Sequence, residues 1–438
     1  MQKRTPATDM QTSLRGIANR ARKDKKARFR DLYRLLNEGN LRDCFYQLRK
    51  SAAPGVDGVT FEEYERELES NLADLVGRLV TKRYRAKLVR RKYIPEGNGK
   101  LRPLGIPALE DKLLQMAEAG VLEAIYEQDF LDCSWGYRAK RGPREASAVL
   151  AARLYAGRIG WVVEADIRGF FDNISHTWMV RMLEERAADG AFLNLIVKWL
   201  KAGVMEADGK VVHPATGTPQ GGIVSAILAN IYLHYVLDLW FEQRVRKGVK
   251  GDLFMMRFAD DYGVAFQYWA DAVRFEKEMR DRLRKFGLTV AEEKTRTLKF
   301  NQFVLEPNEA FEFLGFEFRW LNRRNGMAGV RRRTSPKKLQ ASIRAFTDWI
   351  RKARHERVPS LMKTLRSKLS GYRNYYGVRG NVEMLNRFNY QCRRLLHKWL
   401  NRRSQKRCCT WEELDTLLKR FRIPPPAIVE PVYQPGFR

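Results

Sequence analysis

The sequence predicts an α+β fold, in which antiparallel strands are combined with helices. Short β patterns lie in the middle of the chain, from Tyr93 to Phe318, with helical patterns between them and on both sides. With 438 residues, of which 44% are hydrophobic, the chain is long enough for two or three domains with substantial cores.

Charge is the third bulk feature, and it is unevenly distributed. The 82 Lys and Arg residues exceed the 51 Asp and Glu residues, which gives a net charge of +31. Residues 1–50 carry +9 (14 basic, 5 acidic) and residues 331–438 carry +20 (27 basic, 7 acidic), so the residues between them carry only +2. We therefore predict a nearly neutral block flanked by two basic arms that bind nucleic acid. Solvated helix faces are the alternative explanation for any single basic run.

Composition argues against several other classes of protein. The longest apolar stretch, Ile223 to Trp240, is interrupted by polar residues, and residues 1–18 lack the apolar core of a signal peptide, so we expect no membrane association and a cytoplasmic, nucleoid-associated protein. The five cysteines lack the paired spacing of a disulfide framework or a zinc module. These cysteines are Cys44, Cys133, Cys392, Cys408 and Cys409.

The N-terminal elements follow from local patterns. Residues 1–50 suggest basic helix, with Leu32, Leu35 and Leu36 on one face. Thr60 ends a turn and can cap a helix that begins near Glu62. Two short strands are predicted between Tyr93 and Pro107 around an Asn-Gly turn, and two helices follow. The predicted helices are Leu109 to Tyr126 and Pro143 to Tyr155.

The middle of the chain shows a compact pattern of strands and helices. The predicted elements are a strand at Trp161–Asp166, helices at about Thr177–Glu185 and Gly222–Gln243, a hairpin at Leu253–Phe266 and a strand pair at Phe311–Phe318. Beyond Arg333 the chain is predicted to be helical and basic until Pro424-Pro425-Pro426 ends regular structure.

Three acidic residues are the candidates for chemistry. Asp260 and Asp261 lie at the tip of the predicted hairpin, and Asp166 ends a buried strand pattern. If these strands are neighbours, the three carboxylates converge, which is costly unless cations are bound. Oxygen ligands favour Mg²⁺, and two ions about 4 Å apart would support phosphoryl transfer; Mn²⁺ can substitute. Alone, Asp-Asp would be a common turn and Asp166 a strand-end cap.

A glycine-containing loop lies between these acids. Thr218 to Ser225 includes Gly221 and Gly222 directly before a predicted helix, so its backbone can approach a flat surface closely. Gln220 in this loop can hydrogen-bond to a nucleotide, and Phe171 would stand beside the sugar of a nucleotide bound at the metals.

In this order, the motifs resemble the reverse transcriptases encoded by group II introns and their intron-like relatives. The resemblance extends from about Leu32 to Arg403. It implies a right-hand polymerase in which an antiparallel sheet with helices forms the palm. The implied divisions are a basic helical extension at 1–40, fingers and palm at 41–330, a helical thumb or maturase domain at 331–423 and a tail at 424–438.

The resemblance also implies roles for individual residues. Asp166 and Asp260 would be the main metal ligands, with Asp261 beside them. Arg102, with Lys100, would hold the triphosphate, and Gln220 would contact the incoming nucleotide. Further implied roles are the steric gate against a ribose 2′-hydroxyl for Phe171, a position near the departing pyrophosphate for Lys294, and the primer grip for Phe313, Leu314 and Gly315.

The C-terminal segment Leu369 to Gly377 is similar to the family's RNA-binding thumb. Its three tyrosines, Tyr372, Tyr375 and Tyr376, are at helical spacing, so we expect packing in a core rather than stacking on bases. Basic residues are the expected nucleic-acid contacts. They are Arg138, Arg141, Arg331, Arg332, Arg333, Lys337, Lys338 and Arg373.

Three departures from the family pattern affect the expectations. Phe258 stands where Tyr is usual, Glu96 stands where Lys is frequent, and no His and Cys pairs of an HNH endonuclease follow the thumb. We expect activity without target-strand cleavage.

The expected function is RNA-directed DNA synthesis that extends a DNA or RNA primer with dNTPs on an RNA template, together with binding and splicing of group II intron RNA. The alternatives are a domesticated enzyme of DNA repair or phage defence, and a maturase that acts mainly by binding RNA. The sequence leaves the oligomeric state open.

Overall fold

The computed structural model of the chain describes residues 9–95, 101–302, 309–322, 326, 328–403 and 409–430. These residues form helices and three sheets whose strands are mostly antiparallel, so the predicted α+β class is confirmed. None of the helices within these ranges is long and apolar enough to cross a membrane.

The chain folds into two compact units, each assembled from three separate segments. The first unit contains Met1–Ala139, Ala165–Gly248 and Phe275–Lys294, and the second contains Lys140–Glu164, Val249–Arg274 and Thr295–Arg438. Because both units are discontinuous, they do not follow the continuous divisions implied by the family resemblance, and the boundaries at residues 40, 330 and 423 stay predictions.

Helices make up most of the first unit. They are α1 (Asp9–Lys23), α2 (Glu38–Gln47), α3 (Phe61–Arg66), α4 (Leu68–Val80), α5 (Leu109–Tyr126), α7 (His176–Glu184), α8 (Gly190–Leu200), α9 (Ser225–Leu233), α10 (Arg246–Gly248) and most of α11 (Trp269–Lys285). The helix α6 (Pro143–Ala156) belongs to the second unit.

Helix α5 lies at the centre of the first unit. It packs against α1, α2 and α9, and twelve of its side chains are buried. This extensive burial explains why its apolar residues are not confined to one face. The predicted bounds of α5, Leu109 to Tyr126, are confirmed.

The helix cap predicted at Thr60 is also confirmed. The Thr60 hydroxyl accepts a hydrogen bond from the Glu63 backbone N–H at 3.2 Å, and the Glu63 carboxylate accepts one from the Thr60 N–H at 2.8 Å. This reciprocal pair is a capping box, which satisfies two backbone donors that the first helical turn leaves unpaired.

The sheet of the first unit has the strand order β2-β1-β4-β5. Its strands are β1 (Val89–Pro95), β2 (Leu101–Ile106), β4 (Val204–Met205) and β5 (Val211–Val212). Strands β1 and β2 form the predicted hairpin, with Arg90 opposite Ile106 and Pro95 opposite Leu101. Its Asn98-Gly99 tip, together with Glu96 and Lys100, lies outside the described residues.

The second unit contains a sheet with the order β6-β7-β3-β8. Its strands are β3 (Trp161–Asp166), β6 (Leu253–Phe258), β7 (Asp261–Phe266) and β8 (Arg296–Lys299), although the last two residues of β3, Ala165 and Asp166, belong to the first unit. The Gly160 N–H donates to the Phe266 carbonyl at 2.9 Å, and a Cβ on Gly263 would lie 4.0 Å from the Val163 carbonyl oxygen. Strand β3 therefore begins beside the end of β7, and the two strands are antiparallel. The predicted strand and hairpin are therefore confirmed, and they are neighbours.

A three-stranded antiparallel sheet and four helices complete the second unit. The strands are β9 (Ala310–Phe313), β10 (Phe316–Asn322) and β11 (Ala328–Thr334), and the helices are α12 (Pro336–Ala353), α13 (Val358–Tyr376), α14 (Val382–Leu400) and α15 (Trp411–Arg420). Apolar side chains of these helices share one core, which includes Phe346, Leu365 and Phe388.

Two predicted helices differ from the structure. Leu32, Leu35 and Leu36 do not lie on a continuous basic helix, because α1 ends at Lys23 and Asp31 has a positive φ of 57°. Leu32 and Leu36 are nevertheless buried, on either side of a single 3₁₀ turn at Tyr33–Leu35. The helix predicted at Gly222–Gln243 begins at Ser225 and contains two π-helical turns, at His234–Asp238 and Phe241–Val245.

The ion pair between Arg332 and Glu430 provides a test of what stabilises the second unit. The Arg332 Nη2 atom lies 2.7 Å from both Glu430 carboxylate oxygens, and the two side chains are only 7% and 6% exposed. Replacing Arg332 by Met leaves a buried carboxylate without its guanidinium, which costs about 3 to 5 kcal/mol. We expect Arg332→Met to lower the calorimetric midpoint of thermal unfolding by several degrees.

The double variant Arg332→Met/Glu430→Gln removes both charges and should recover most of that loss. Arg351→Met is the control, because its pair with Asp348 is exposed and contributes little. A double variant as unstable as the single one would contradict the assignment.

Candidate active site

Asp166 is the last residue of β3 and, like Lys294, belongs to the first unit. Lys294 Nζ forms an ion pair with Asp166 Oδ2. The Asp166 carbonyl accepts a hydrogen bond from the Ala291 N–H at 2.8 Å, which fixes the Lys294 turn against the strand end. Asp166 and Lys294, two residues predicted for the site from distant positions in the sequence, are therefore in contact.

The glycine-containing loop packs against β2. The Gly105 N–H donates to the Gln220 carbonyl at 2.6 Å, and Arg102 Nε donates to Gln220 Oε1 at 3.1 Å. The structure thus brings together Arg102 and Gln220, both predicted to contact a nucleotide, and the Gln220 amide orients the guanidinium.

The same loop is fixed against the turn that carries Phe171. The Thr218 N–H donates to the Phe171 carbonyl at 2.8 Å, and the Gly217 N–H donates to the Ile174 carbonyl at 2.8 Å. Gly217 has a φ of +92°, and a Cβ there would lie 2.8 Å from the Asp172 carbonyl oxygen. Only glycine fits this approach, so the backbone of the loop is held tightly against the Phe171 segment.

The Phe171 side chain is buried beside Phe170, with 5.4 Å between the ring centroids. Both rings belong to a short 3₁₀ helix that begins after Gly169. The Phe171 ring is therefore held rigidly by packing.

Asp260 and Asp261 lie at the tip of the β6–β7 hairpin in the second unit. Phe258 pairs with Asp261, so Ala259 and Asp260 form a two-residue turn, and Ala259 has a φ of +58°. Turns with a positive φ at this position match the twist of the flanking strands. Both aspartates are partly exposed.

A buried arginine beneath this turn was missed by the sequence analysis. Arg257 is fully buried, and its Nη1 donates to the Ala259 carbonyl at 2.9 Å. The feature of the sequence that could have revealed it is a charged residue inside the apolar strand pattern that precedes the two acids. A buried cation in such a strand needs internal partners, and one of them is the turn itself.

The residues predicted as the primer grip form a second tight turn in the second unit. Phe313 pairs with Phe316, so Leu314 and Gly315 form the turn, with φ values of +53° and +76°. Tyr375, from the C-terminal end of α13, donates through its hydroxyl to the Leu314 carbonyl at 2.9 Å.

The tyrosines of α13 pack as predicted rather than standing free for bases. Tyr375 stacks on Phe316 at an interplanar angle of 5°, and Tyr372 stacks on Phe388. Burial raises the pKa of Tyr375, and the negative charge of Asp261 raises it further. Tyr375 therefore lies near one of the two hairpin carboxylates, a relation that spacing along the sequence could not indicate.

Burial corrects two of the predicted nucleic-acid contacts. Arg138 is only 3% exposed in its side chain, pairs with Glu127 at 2.7 Å and donates to the carbonyls of Leu131 and Ser134. Arg332 is held by Glu430 and donates to the Ser147 hydroxyl at 2.8 Å. Both guanidiniums are used inside the protein, because a buried charge must be paired and hydrogen-bonded.

The other basic candidates are less buried. Lys337 and Lys338 are exposed at the start of α12. Arg331 and Arg333 form ion pairs with Glu383 at 3.0 Å and with Glu317 at 2.8 Å. Arg141 and Arg373 are partly exposed. Lys100 lies outside the described residues, so its predicted role stays a prediction.

The predicted metal ligands offer carboxylate oxygens, the donor type that Mg²⁺ prefers. Within the described ranges, no three His, Cys, Asp or Glu side chains come together as a group able to hold an ion. The Asp166 carboxylate instead forms an ion pair with the Lys294 ammonium. The donor chemistry fits a hard divalent cation.

Comparison with known proteins identifies the family. Residues 94–318 match the model for reverse transcriptase (RNA-dependent DNA polymerase), slightly more than half of the chain. This family has the right-hand polymerase fold, which agrees with the helices and antiparallel sheets described above.

Individual relatives are similar over nearly half of the chain. Protein YkfC of Escherichia coli (strain K12) is 36% identical over 198 residues, 44% of this chain and 51% of that protein. The group II intron-encoded protein LtrA of Lactococcus lactis subsp. cremoris is 37% identical over 217 residues, 48% of this chain and 36% of LtrA. The putative COX1/OXI3 intron 1 protein of Saccharomyces cerevisiae is 30% identical over 205 residues, 46% of this chain and 24% of that protein.

The matched region thus spans about half the length of these relatives, or less. The segment that matches the family model, residues 94–318, includes Asp166, Gln220 and the Asp260-Asp261 turn. The chain belongs to the reverse transcriptase family, and its relatives include group II intron-encoded proteins, as the order of its motifs predicted.

Proposed function

We propose that this protein is an RNA-directed DNA polymerase that extends a primer with dNTPs on an RNA template. The observation that carries the proposal is the order of two strands in one sheet. Strand β3, which ends at Asp166, is the antiparallel neighbour of β7, which begins at Asp261. Residues 94–318, which match the reverse transcriptase model, include all three acids, and this supports joint action by Asp166, Asp260 and Asp261.

The chemistry is an in-line displacement at phosphorus. The primer 3′-oxygen forms a bond to the α-phosphorus of the dNTP, the bond to the bridging oxygen breaks, and pyrophosphate leaves. Reverse transcriptases depend on divalent cations, and we propose that Asp166, Asp260 and Asp261 hold two Mg²⁺ ions. When bound, such ions stabilise the attacking and leaving oxygens.

The remaining residues of the proposed site act on the nucleotide. Arg102, oriented by Gln220, contacts the triphosphate, and Lys294 lies beside Asp166, within reach of the phosphates of a nucleotide bound there. The Phe171 ring, fixed by packing, excludes a ribose 2′-hydroxyl. We also propose that the turn at Leu314 and Gly315 supports the primer end.

Intron RNA is the second proposed partner. The proteins of Lactococcus lactis and Saccharomyces cerevisiae are named for introns, and residues 331–438 carry a net charge of +20 from 27 basic and 7 acidic residues. We propose that the C-terminal helices bind structured RNA mainly through phosphate contacts, and that this binding supports splicing.

The first test removes one carboxylate. Asp260→Ala should reduce primer extension on an RNA template about a thousandfold or more, because transition-state charge is then no longer balanced. RNA affinity, measured by fluorescence anisotropy, should stay within about twofold. Asp281→Ala is the control, since its exposed side chain forms an ion pair with Arg284 on the same helix. Normal synthesis by Asp260→Ala would remove this residue from the site.

Sugar discrimination tests Phe171. Phe171→Ala should lower the preference for dNTP over rNTP, measured as a ratio of kcat/KM values, by about 10- to 100-fold, because the ring no longer blocks the 2′-hydroxyl. Phe192→Ala removes another buried phenylalanine ring, from α8, and should leave the ratio nearly unchanged. Equal ratios for the two variants would exclude the proposed gate.

The close packing of the loop gives a third test. Gly217→Ala forces a side chain against the Asp172 backbone. Gly209 has a similar φ of +84°, but a Cβ at Gly209 would have no atom within 4 Å, so Gly209→Ala is the control. Strained backbone costs about 1 to 3 kcal/mol in either variant. We expect only Gly217→Ala to lower kcat/KM for dNTP further, by about tenfold. The same loss in both variants would show that packing on the Phe171 segment is unimportant.

A further inference from the structure

A cavity of about 770 Å³ opens in the first unit, away from the residues of the proposed active site. It lies between the C-terminal end of α4, the segment 33–37 that directly precedes α2, and α8. Its volume falls within the range of about 300 to 1,000 Å³ that is typical of ligand pockets. Four of its lining residues are basic, namely Arg34, Lys82, Arg85 and Lys198, and none of the lining residues described is Asp or Glu.

Two of these cations meet at a single oxygen atom. Lys198 Nζ lies 3.0 Å from the Tyr84 carbonyl oxygen, and Arg85 Nη1 lies 3.4 Å from the same oxygen. Partial burial lowers the pKa of Lys198, and the positive charge of Arg85 lowers it further. The two charges therefore repel each other across one neutral carbonyl, and an anion between them would relieve that repulsion.

The carboxylate that directly precedes the cavity residues of α8 is already engaged. Asp189 precedes α8, and its oxygens accept hydrogen bonds from the backbone N–H groups of Tyr33, Ala191 and Phe192 at 2.8 to 3.1 Å. It caps the helix instead of pairing with the cavity cations.

Lys82 occupies a position where glycine would be favoured. The Arg83 N–H donates to the Arg78 carbonyl and the Lys82 N–H to the Leu79 carbonyl, which is the Schellman ending of α4. Lys82 thus has a φ of +58°, a conformation that disfavours side chains. A lysine kept in a strained position at the edge of a basic cavity indicates that its charge is used.

We propose that this cavity is a binding site for phosphate groups, with the backbone of an RNA strand as their expected source. A net charge of +31 and membership of a polymerase family make nucleic acid the available polyanion. Lys198 and Arg85 would hold one phosphate between them, and Lys82 and Arg34 would contact its neighbours. None of these residues takes part in the proposed chemistry, so the inference stands independently of the polymerase assignment.

The first experiment measures RNA affinity as a function of salt on the full chain. Arg85→Gln/Lys198→Gln should reduce the magnitude of the slope of log K against log[salt] for a single-stranded RNA by about 1.4, since each lost contact contributes about 0.7. Arg66→Gln/Lys247→Gln removes the same total charge from exposed sites outside the cavity and should leave the slope nearly unchanged.

The second variant separates binding from stability. Lys82→Gly relieves backbone strain, so its thermal midpoint should be equal to or higher than that of the native chain, yet its slope should fall by about 0.7. Arg422→Gly is the stability control, because Arg422 has a φ of +50° after α15 and lies outside the cavity.

A parallel titration with inorganic phosphate, followed by ³¹P NMR without divalent cations, distinguishes the sources of phosphate. Weakening of RNA binding alone assigns the site to a nucleic-acid backbone, and loss of phosphate binding in the cavity variants assigns it to free phosphate groups as well. If Lys82→Gly and the cavity double variant match the native chain and the control double variant in both titrations, the proposal is overturned.

Discussion

The turn at Ala259 and Asp260 is the constraint on which the proposed chemistry depends. Two adjacent carboxylates repel each other and are strongly hydrated, so they stay at a sheet edge only if the backbone beneath them is held. Arg257 provides that hold, because its guanidinium is fully buried and donates to the Ala259 carbonyl. The buried guanidinium therefore holds the backbone of the turn that presents both carboxylates.

A different principle holds the residues of the first unit that we propose to contact the nucleotide. There, backbone approaches backbone without intervening side chains, and hydrogen bonds join the loop at Gln220 to β2 and to the Phe171 segment. Close packing of this kind makes the positions of Arg102, Gln220 and Phe171 depend on one another. Lys294 is held differently, through its ion pair with Asp166. Close packing therefore positions Arg102, Gln220 and Phe171, and an ion pair positions Lys294.

Hydrophobic periodicity and turn residues were sufficient to predict the helices, strands and caps that depend on a few neighbouring residues. Helix α5, strand β3, the β6–β7 hairpin and the Thr60 cap follow from periodicity and turn chemistry within a few residues. Strands β4 and β5 have two residues each, too few for a periodic pattern, and α8 and α11 were also not identified. The break between α1 and α2 depends on Asp31 and its positive φ, which sequence periodicity does not reveal.

Charge was predictable in total but not in its pairing. The excess of basic residues near the C-terminus indicated nucleic acid, yet Arg332 and Arg138 are neutralised inside the protein by Glu430 and Glu127. Glu430 lies 98 residues from its partner, so no local signal could link them. Tyr375 and Asp261 are also far apart in the sequence, so their proximity could not be predicted from local patterns.

The hydrogen bond from Tyr375 to Leu314 has a mechanical consequence. Helix α13 has 19 residues and is therefore a rod about 28 Å long. Its far end is anchored in the helical core by Leu361 and Met362, which are fully buried, and its near end is joined to the turn through a hydroxyl and a stacked ring. A tilt of about 5° at this near end corresponds to a shift of roughly 2 Å at the other. Any displacement of the helical core is therefore transmitted along this rod to a single peptide group, the Leu314 carbonyl.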